Sequence, residues 1–247
     1  MDRMIYTAMS GAKHILEQQA SNSHNLANAT STGFKAQLDA FRAVPIISEG
    51  LPTRAFVVDA TVGTDFTPGT LQQTGRDLDV AIQGKGWLSV VRPDGSEAYT
   101  RNGSLKVNEN GLLQTSTGLT LMGEGGPISI PPGVSISVGK DGTISTVLNN
   151  YEPGPANILG RIKLVNPPES ELVRGKDGLF ELKSGQPADV DPLVHLVGGA
   201  LEGSNVNVVE SMVNMISLAR QFDFQMKLLE KAENNANKAS QLLSLSP

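Results

Sequence analysis

The chain has no cysteine, which excludes disulfide bridges, thiolate nucleophiles and Cys-based zinc sites. It also lacks any run of Lys or Arg that could track a phosphate backbone, and its formal net charge is −5, so nucleic acid is not expected as a partner. No apolar stretch approaches the roughly 18 residues of a membrane span, and no membrane insertion is expected. The start, Met1-Asp2-Arg3-Met4-Ile5-Tyr6, has no basic segment leading into an apolar stretch with a small-residue cleavage site, so no cleaved secretory peptide is expected. The three histidines, His14, His24 and His195, are scattered without metal-ligand spacing. No Gly-x-Ser-x-Gly elbow occurs.

What is present is enough apolar material for a core, 39 % of 247 residues, and a hydrophobic period that changes twice along the chain. From Met4 to about Ala29 there is no proline, and Ile5, Ala8, Met9, Ala12, Ile15, Leu16 and Leu26 recur at three- and four-residue steps. That spacing predicts a helix with one narrow apolar stripe, closed by Thr30-Ser31-Thr32-Gly33. Residues 36–76 mix prolines and glycines with short β-branched pieces and read as a partly extended connector. Residues 77–200 carry the turn dipeptides Asp94-Gly95, Asn102-Gly103, Asn110-Gly111, Asp141-Gly142 and Asp177-Gly178. Between them, alternation such as Ile128, Ile130, then Val134, Ile136, Val138 predicts short antiparallel strands with one buried face each.

Beyond Gly203 the helical period returns. Val208, Met212, Met215, Ala219, Phe222, Met226 and Leu229 alternate four- and three-residue steps, the roughly 3.5-residue period of a coiled-coil seam. The expected fold is therefore α+β: N- and C-terminal α-helices forming a coiled-coil-like helical domain from residues 1–35 and 201–247, around a central antiparallel all-β domain. Neither stripe is wide, and the first carries Gln18, Gln19, Asn22 and Asn25 where large apolar groups would stabilise it. An isolated pair of these helices is expected to be marginal, and polar seam residues read as devices that select register and partner.

Few residues invite chemistry. Gly84-Lys85-Gly86-Trp87 and Gly123-Glu124-Gly125-Gly126-Pro127 do not open a helix after a strand and read as turns, not phosphate cradles. Asp77 and Asp79 share one face of an extended segment, a pattern that could serve acid/base work on a glycoside but more commonly marks a solvated strand entry. No catalytic residue, metal or cofactor is expected, and a structural protein is expected over an enzyme.

One segment, Asn25-Leu26-Ala27-Asn28-Ala29-Thr30-Ser31-Thr32-Gly33-Phe34-Lys35, is similar to the signature that closes the N-terminal helix of flagellar rod and hook proteins. A second, Leu201 to Glu210 with Ser204, Asn205 and Val206 at its centre, followed by Met212 to Ile216, Arg220 and Phe222, looks like that family's C-terminal motif. Leu78 to Trp87, Tyr99-Thr100-Arg101-Asn102-Gly103 and Gly126 to Pro131 resemble the opening of the family's β domain. The chain thus resembles the flagellar rod/hook/hook-associated axial family over most of its length, and its first nine residues, Arg42 to Pro45 and Gly123 to Pro127 are closest to a proximal rod member. It departs from the pattern at His24, Asn207 and Ala219.

The resemblance implies a structural subunit of the basal-body rod that assembles with copies of itself and other rod proteins, proximal neighbours and the distal rod protein among them, in a helical tube crossing the periplasm. It implies torque transmission, an export channel, and passage through the type III export apparatus without a cleaved signal. It assigns the assembly seam to Ile5, Met9, Leu16, Leu26, Val208, Met212, Met215, Ile216, Phe222, Met226 and Leu229. The motif residues are Asn25, Leu26, Ala27, Asn28, Gly33, Phe34, Lys35, Ser204, Asn205 and Val206. Two other readings stay open: the distal rod protein or another axial member, and a secreted β-domain protein that binds or degrades carbohydrate.

Overall fold

The computed structural model describes residues 3–45, 55–148 and 157–244, and the chain divides into two compact units. The first holds Met1–Ala29, Ala36–Asp65 and Val206–Pro247; the second holds Thr30–Lys35 and Phe66–Asn205.

In the first unit, helix α1 covers Arg3–Ala27 and helix α2 covers Val208–Ser244. At 37 residues α2 is about 55 Å long. It opens on Asn207, whose side-chain oxygen accepts the backbone N–H groups of Val209 at 3.1 Å and Glu210 at 3.2 Å, as an N-cap asparagine does. The helices run antiparallel. Asn22 donates to the Ser211 carbonyl at 2.7 Å, while Gly11, earlier in α1, faces Gln225, later in α2. Strands β1 (Gln37–Pro45) and β2 (Ala55–Thr64) form an antiparallel hairpin with a register shift between Ala40 and Phe41. The hairpin docks on α1, where the His14 ring meets Phe41 edge-on at 5.9 Å.

This packing corrects the expected coiled-coil-like helical domain. A coiled coil needs large apolar knobs along a continuous seam, whereas the buried positions of α1 are Ala8, Ala12 and Ile15 and that of α2 is Ser211. Gly11 and Gln225 also stand at the contact. The α2 positions next most shielded are Met215, Leu218, Phe222, Gln225, Leu228, Leu229 and Ala232. Met212, Ile216 and Met226 point to solvent. The seam expected from the sequence is thus only partly covered, with Met215, Phe222 and Leu229 half-buried and Val208, Met212 and Met226 exposed, and a β-hairpin covers part of α1. The fold is broadly α+β, with two α-helices among the described residues and a large set of antiparallel strands.

The second unit begins with β3 (Leu71–Gln73), β4 (Val80–Gln83), β5 (Trp87–Val91), β6 (Glu97–Thr100), β7 (Leu105–Val107), β8 (Leu113–Thr115) and β9 (Thr120–Gly123). Its largest sheet runs Leu172–Arg174, Phe180–Leu182, β6, β5, β9, β8, β7. A three-stranded sheet joins Val134–Val138, Thr143–Leu148 and Asn157–Arg161. Two late strands return to early ones: His195–Gly198 pairs with β4 and Ala200–Glu202 pairs with β3, both antiparallel. Hairpins turn at Gly95, Gly111, Gly142 and Gly178, all with left-handed φ. Asn102-Gly103 is different: a Cβ on Gly103 would lie 1.7 Å from the Val80 carbonyl oxygen, so glycine there serves close approach of backbone rather than a tight hairpin.

Alternation along these strands gives a core in which Val80, Leu88, Val90, Leu105, Leu113, Leu121, Ile144 and Ile162 are all 0 % exposed. Burying each such side chain contributes about 1.5–3 kcal/mol. A second cluster gathers Trp87, Tyr99, Val165, Leu172 and Phe180. There the Tyr99 hydroxyl accepts the Ala188 backbone N–H at 2.7 Å, and burial pushes its pKa up to about 12.

Candidate functional site

Asn25 and Asn28, in the first unit, act locally. The Asn25 amide donates to the Gln37 carbonyl at 2.9 Å and accepts the Gln37 N–H at 2.8 Å. Its side chain therefore imitates a neighbouring strand, clipping the end of α1 to the start of β1. Asn28 returns to the helix it follows, its backbone N–H at 3.2 Å and its side chain at 2.9 Å from the His24 carbonyl, which satisfies an otherwise orphaned acceptor at the C-terminus. Leu26 is half-buried and Ala27 exposed.

Gly33, Phe34 and Lys35 belong to the β unit. Sequence reading makes Gly33 the C-cap of the first helix, but α1 ends at Ala27. Gly33 has φ +68° and donates its N–H to the Glu202 carbonyl at 2.7 Å. A Cβ there would meet the Arg101 backbone at 2.4 Å, so both conformation and space require glycine. The Arg174 guanidinium lies over the Phe34 ring at 4.5 Å and donates to the Lys35 carbonyl at 2.8 Å, a cation–π contact on a partly desolvated Arg. That desolvation lowers the Arg174 pKa from its ordinary value.

Lys35 then crosses into a buried charge cluster. Its ammonium lies 2.6 Å from one Glu202 carboxylate oxygen, and Arg101 donates to the other at 2.9 Å. Gly69 N–H adds a third bond to Glu202 at 3.0 Å, and Lys35 also donates to the Thr67 carbonyl at 2.8 Å. Arg101 reaches the Gly84 carbonyl at 2.8 Å and stacks over Trp87 at 5.2 Å. Burial pulls the Arg101 pKa down while the Glu202 carboxylate opposes that shift. Asn205 completes the junction, its N–H on the Phe34 carbonyl at 3.4 Å and its amide on Thr67. Ser204 and Val206 are half-buried beside it in sequence. The N-terminal motif, the β-domain motif and the C-terminal motif thus meet at one carboxylate.

The seam residues fall into two groups. Ile5, Leu26, Met215, Phe222 and Leu229 are half-buried, while Met9, Leu16, Val208, Met212, Ile216 and Met226 are exposed. With Tyr6 on α1 and Val209, Val213 and Phe224 on α2, the exposed set makes apolar stripes on the outer side of each helix. Sequence reasoning missed Arg101 and Glu202 as partners of Lys35, although each sits inside a quoted motif. Charged residues embedded among turn and apolar residues were the available signal. It also missed Val213 and Phe224, which lie off the single stripe that was traced.

No group of three or more His, Cys, Asp or Glu among the described residues could hold a metal ion. Asp77 is exposed, whereas Asp79 is buried with its carboxylate 2.5 Å from Arg76, so the two do not form a working pair. No helix among the described residues is long and apolar enough to cross a membrane.

The two helices thus carry exposed apolar side chains, and the β unit is locked internally by its own motif residues Lys35, Arg101 and Glu202. The family model described as the flagellar hook protein FlgE/F/G D1 domain matches residues 81–146, and that described as the flagellar basal body rod FlgEFG protein C-terminal matches residues 197–242. The flagellar basal-body rod protein FlgF of Escherichia coli (strain K12) is 48 % identical across the whole of both chains, and that of Salmonella typhimurium 46 %. A flagellar basal-body rod protein FlgG from Buchnera aphidicola subsp. Schizaphis graminum is 32 % identical over 89 % of this chain and 92 % of its own. The chain belongs to the FlgF family of flagellar basal-body rod proteins.

Proposed function

We propose that this protein is a structural, non-catalytic subunit of the proximal part of the flagellar basal-body rod. It assembles with copies of itself and with other axial proteins, the distal rod protein among them, through the outer stripes of α1 and α2. The observation that carries this reading is the exposure of Met9 (62 %), Leu16 (50 %), Met212 (51 %) and Ile216 (57 %) along helices of a family member. Apolar side chains repeated on one helix face call for a partner. A contact that joins unlike surfaces of successive subunits without closing generates a helical filament. In that tube Ile5, Leu26, Val208, Met215, Phe222, Met226 and Leu229 complete the packing, the subunits carry torque, and the lumen serves as export channel. Delivery runs through the type III export apparatus without a cleaved signal.

Full-length identity of 48 % and 46 % to the FlgF proteins of Escherichia coli and Salmonella typhimurium supports the FlgF role, and within one Buchnera strain FlgF is 33 % identical over 99 % of this chain where FlgG is 32 % identical over 89 %. Expression in a strain deleted for its own proximal rod gene tests the assignment. Restored swimming, with the protein in purified basal bodies, supports it. Secretion without incorporation would sink it, and rescue of a distal-rod deletion instead would transfer the assignment to that member.

A further inference from the structure

The charge cluster at Glu202 is assembled from four segments, and its position in the chain gives it a role beyond local tethering. Lys35, Arg101 and Glu202 are at most 4 % exposed, and Arg101 Nε is buried with no hydrogen-bond partner. Two cations therefore share the Glu202 carboxylate in a region with little water to replace it. Glu202 ends the strand Ala200–Glu202, the last strand of the β unit in chain order, which pairs with β3 near that unit's beginning. The preceding strand, His195–Gly198, pairs with β4. Until these residues arrive, Arg101 has no acidic partner among the described residues, Lys35 lacks the carboxylate at 2.6 Å, and the first two strands of the β unit lack their pairing neighbours.

We infer that Glu202 is a latch that closes the whole β unit: its single carboxylate pairs with buried Arg101 and Lys35 at once, so the unit does not reach its stable fold until its C-terminal strand is in place. The cost of stranding a buried charge makes this strong, because breaking a buried ion pair from one side destabilises far more than the pair itself stabilises. The geometry also makes the effect asymmetric. Loss of Lys35 leaves Arg101 and Glu202 as a one-to-one pair, whereas loss of the Glu202 charge strands Arg101 and removes a partner of Lys35.

Full-length variants test this, with Trp87 as reporter. It is the single tryptophan of the chain, and it lies against Arg101 in the second core cluster. In urea titrations followed by Trp87 emission, Glu202→Gln should lower the folding equilibrium constant on the order of 100-fold or more. Lys35→Met should lower it on the order of tenfold. The double variant Lys35→Met/Glu202→Gln should be no less stable than Glu202→Gln alone, a non-additivity that independent sites would not show. Hydrogen exchange of Glu202→Gln should show protection lost throughout the β unit. Equal, additive effects of the two single variants would overturn the latch, as would exchange confined to residues 200–205 with Trp87 emission unmoved. If Glu202→Gln yields no folded protein, Glu202→Asp decides. Native Trp87 emission with the charge retained supports the latch, and equal unfolding means that shape rather than charge is responsible.

Discussion

The β unit and the helical unit are made from the same chain but stabilised by different means. In the β unit, Leu88, Leu105, Leu113, Leu121, Ile144 and Ile162 lose all contact with water. In the helical unit the buried places are held by Ala8, Ala12, Ile15 and Ser211, while Met9, Leu16, Val209, Met212, Ile216 and Phe224 remain exposed. Burial free energy follows apolar area, so the β unit supplies its own stability and the helical unit leaves many of its large apolar side chains exposed. The difference teaches that one region of this protein closes its own core and the other leaves apolar side chains exposed, as the proposed assembly role requires.

Four substitutions probe that contrast. The largest effect is expected from Leu121→Ala, which opens a cavity in the β core and should cost about 2–5 kcal/mol in urea titrations followed by Trp87 emission. A loss below about 1 kcal/mol would mean the β unit is not the rigid half. Next is an alkaline transition. Tyr99 is pushed up from 10.0 to about 12 by burial, so above pH 10 the unfolded chain releases a proton that the folded chain keeps. Stability that is fully present below pH 10 should therefore fall by about 1.4 kcal/mol per pH unit until pH 12. Tyr99→Phe should abolish that dependence while destabilising the protein at neutral pH, because the Ala188 N–H loses its acceptor.

Smaller effects belong to the helical unit. Asn25→Ala removes both bonds to Gln37 and should cost about 1–2 kcal/mol, visible as faster hydrogen exchange at the end of α1 with Trp87 emission unchanged. A Trp87 response would show that the loss spreads into the β unit. The smallest effect on the monomer should come from Ile216→Asp, within about 0.5 kcal/mol because the site is solvated. The same change should abolish incorporation into basal bodies, and retained swimming would remove the outer stripe from the assembly surface.

How much was legible depended on how local the signal is. The two helices follow from periodicity uninterrupted by proline, and α1 ends at Ala27 within two residues of the expected end. The hairpins at Asp94-Gly95, Asn110-Gly111, Asp141-Gly142 and Asp177-Gly178 follow from turn chemistry that the folded backbone uses. The helix faces were not legible. Several four-and-three stripes can be drawn through α2, and only the small and polar partners Gly11, Ala12, Asn22 and Ser211 decide which one faces α1. The role of Lys35 was hidden for a different reason. Its partner Glu202 lies 167 residues away, and no local pattern announces that a motif lysine and a motif glutamate will be buried together. Gly33 shows the same limit, since its left-handed φ was foreseeable but its contact with the Arg101 backbone was not.

The most direct test of the contrast is limited proteolysis of the purified full-length monomer, with the cut sites mapped by mass spectrometry, because the less stable parts of a protein open and are cleaved first. We expect early cuts within residues 1–29 and 206–247 while residues 66–205 survive as a resistant fragment. Resistance spread evenly over all three segments would mean that the helices already close a complete core in the monomer, and would contradict the account.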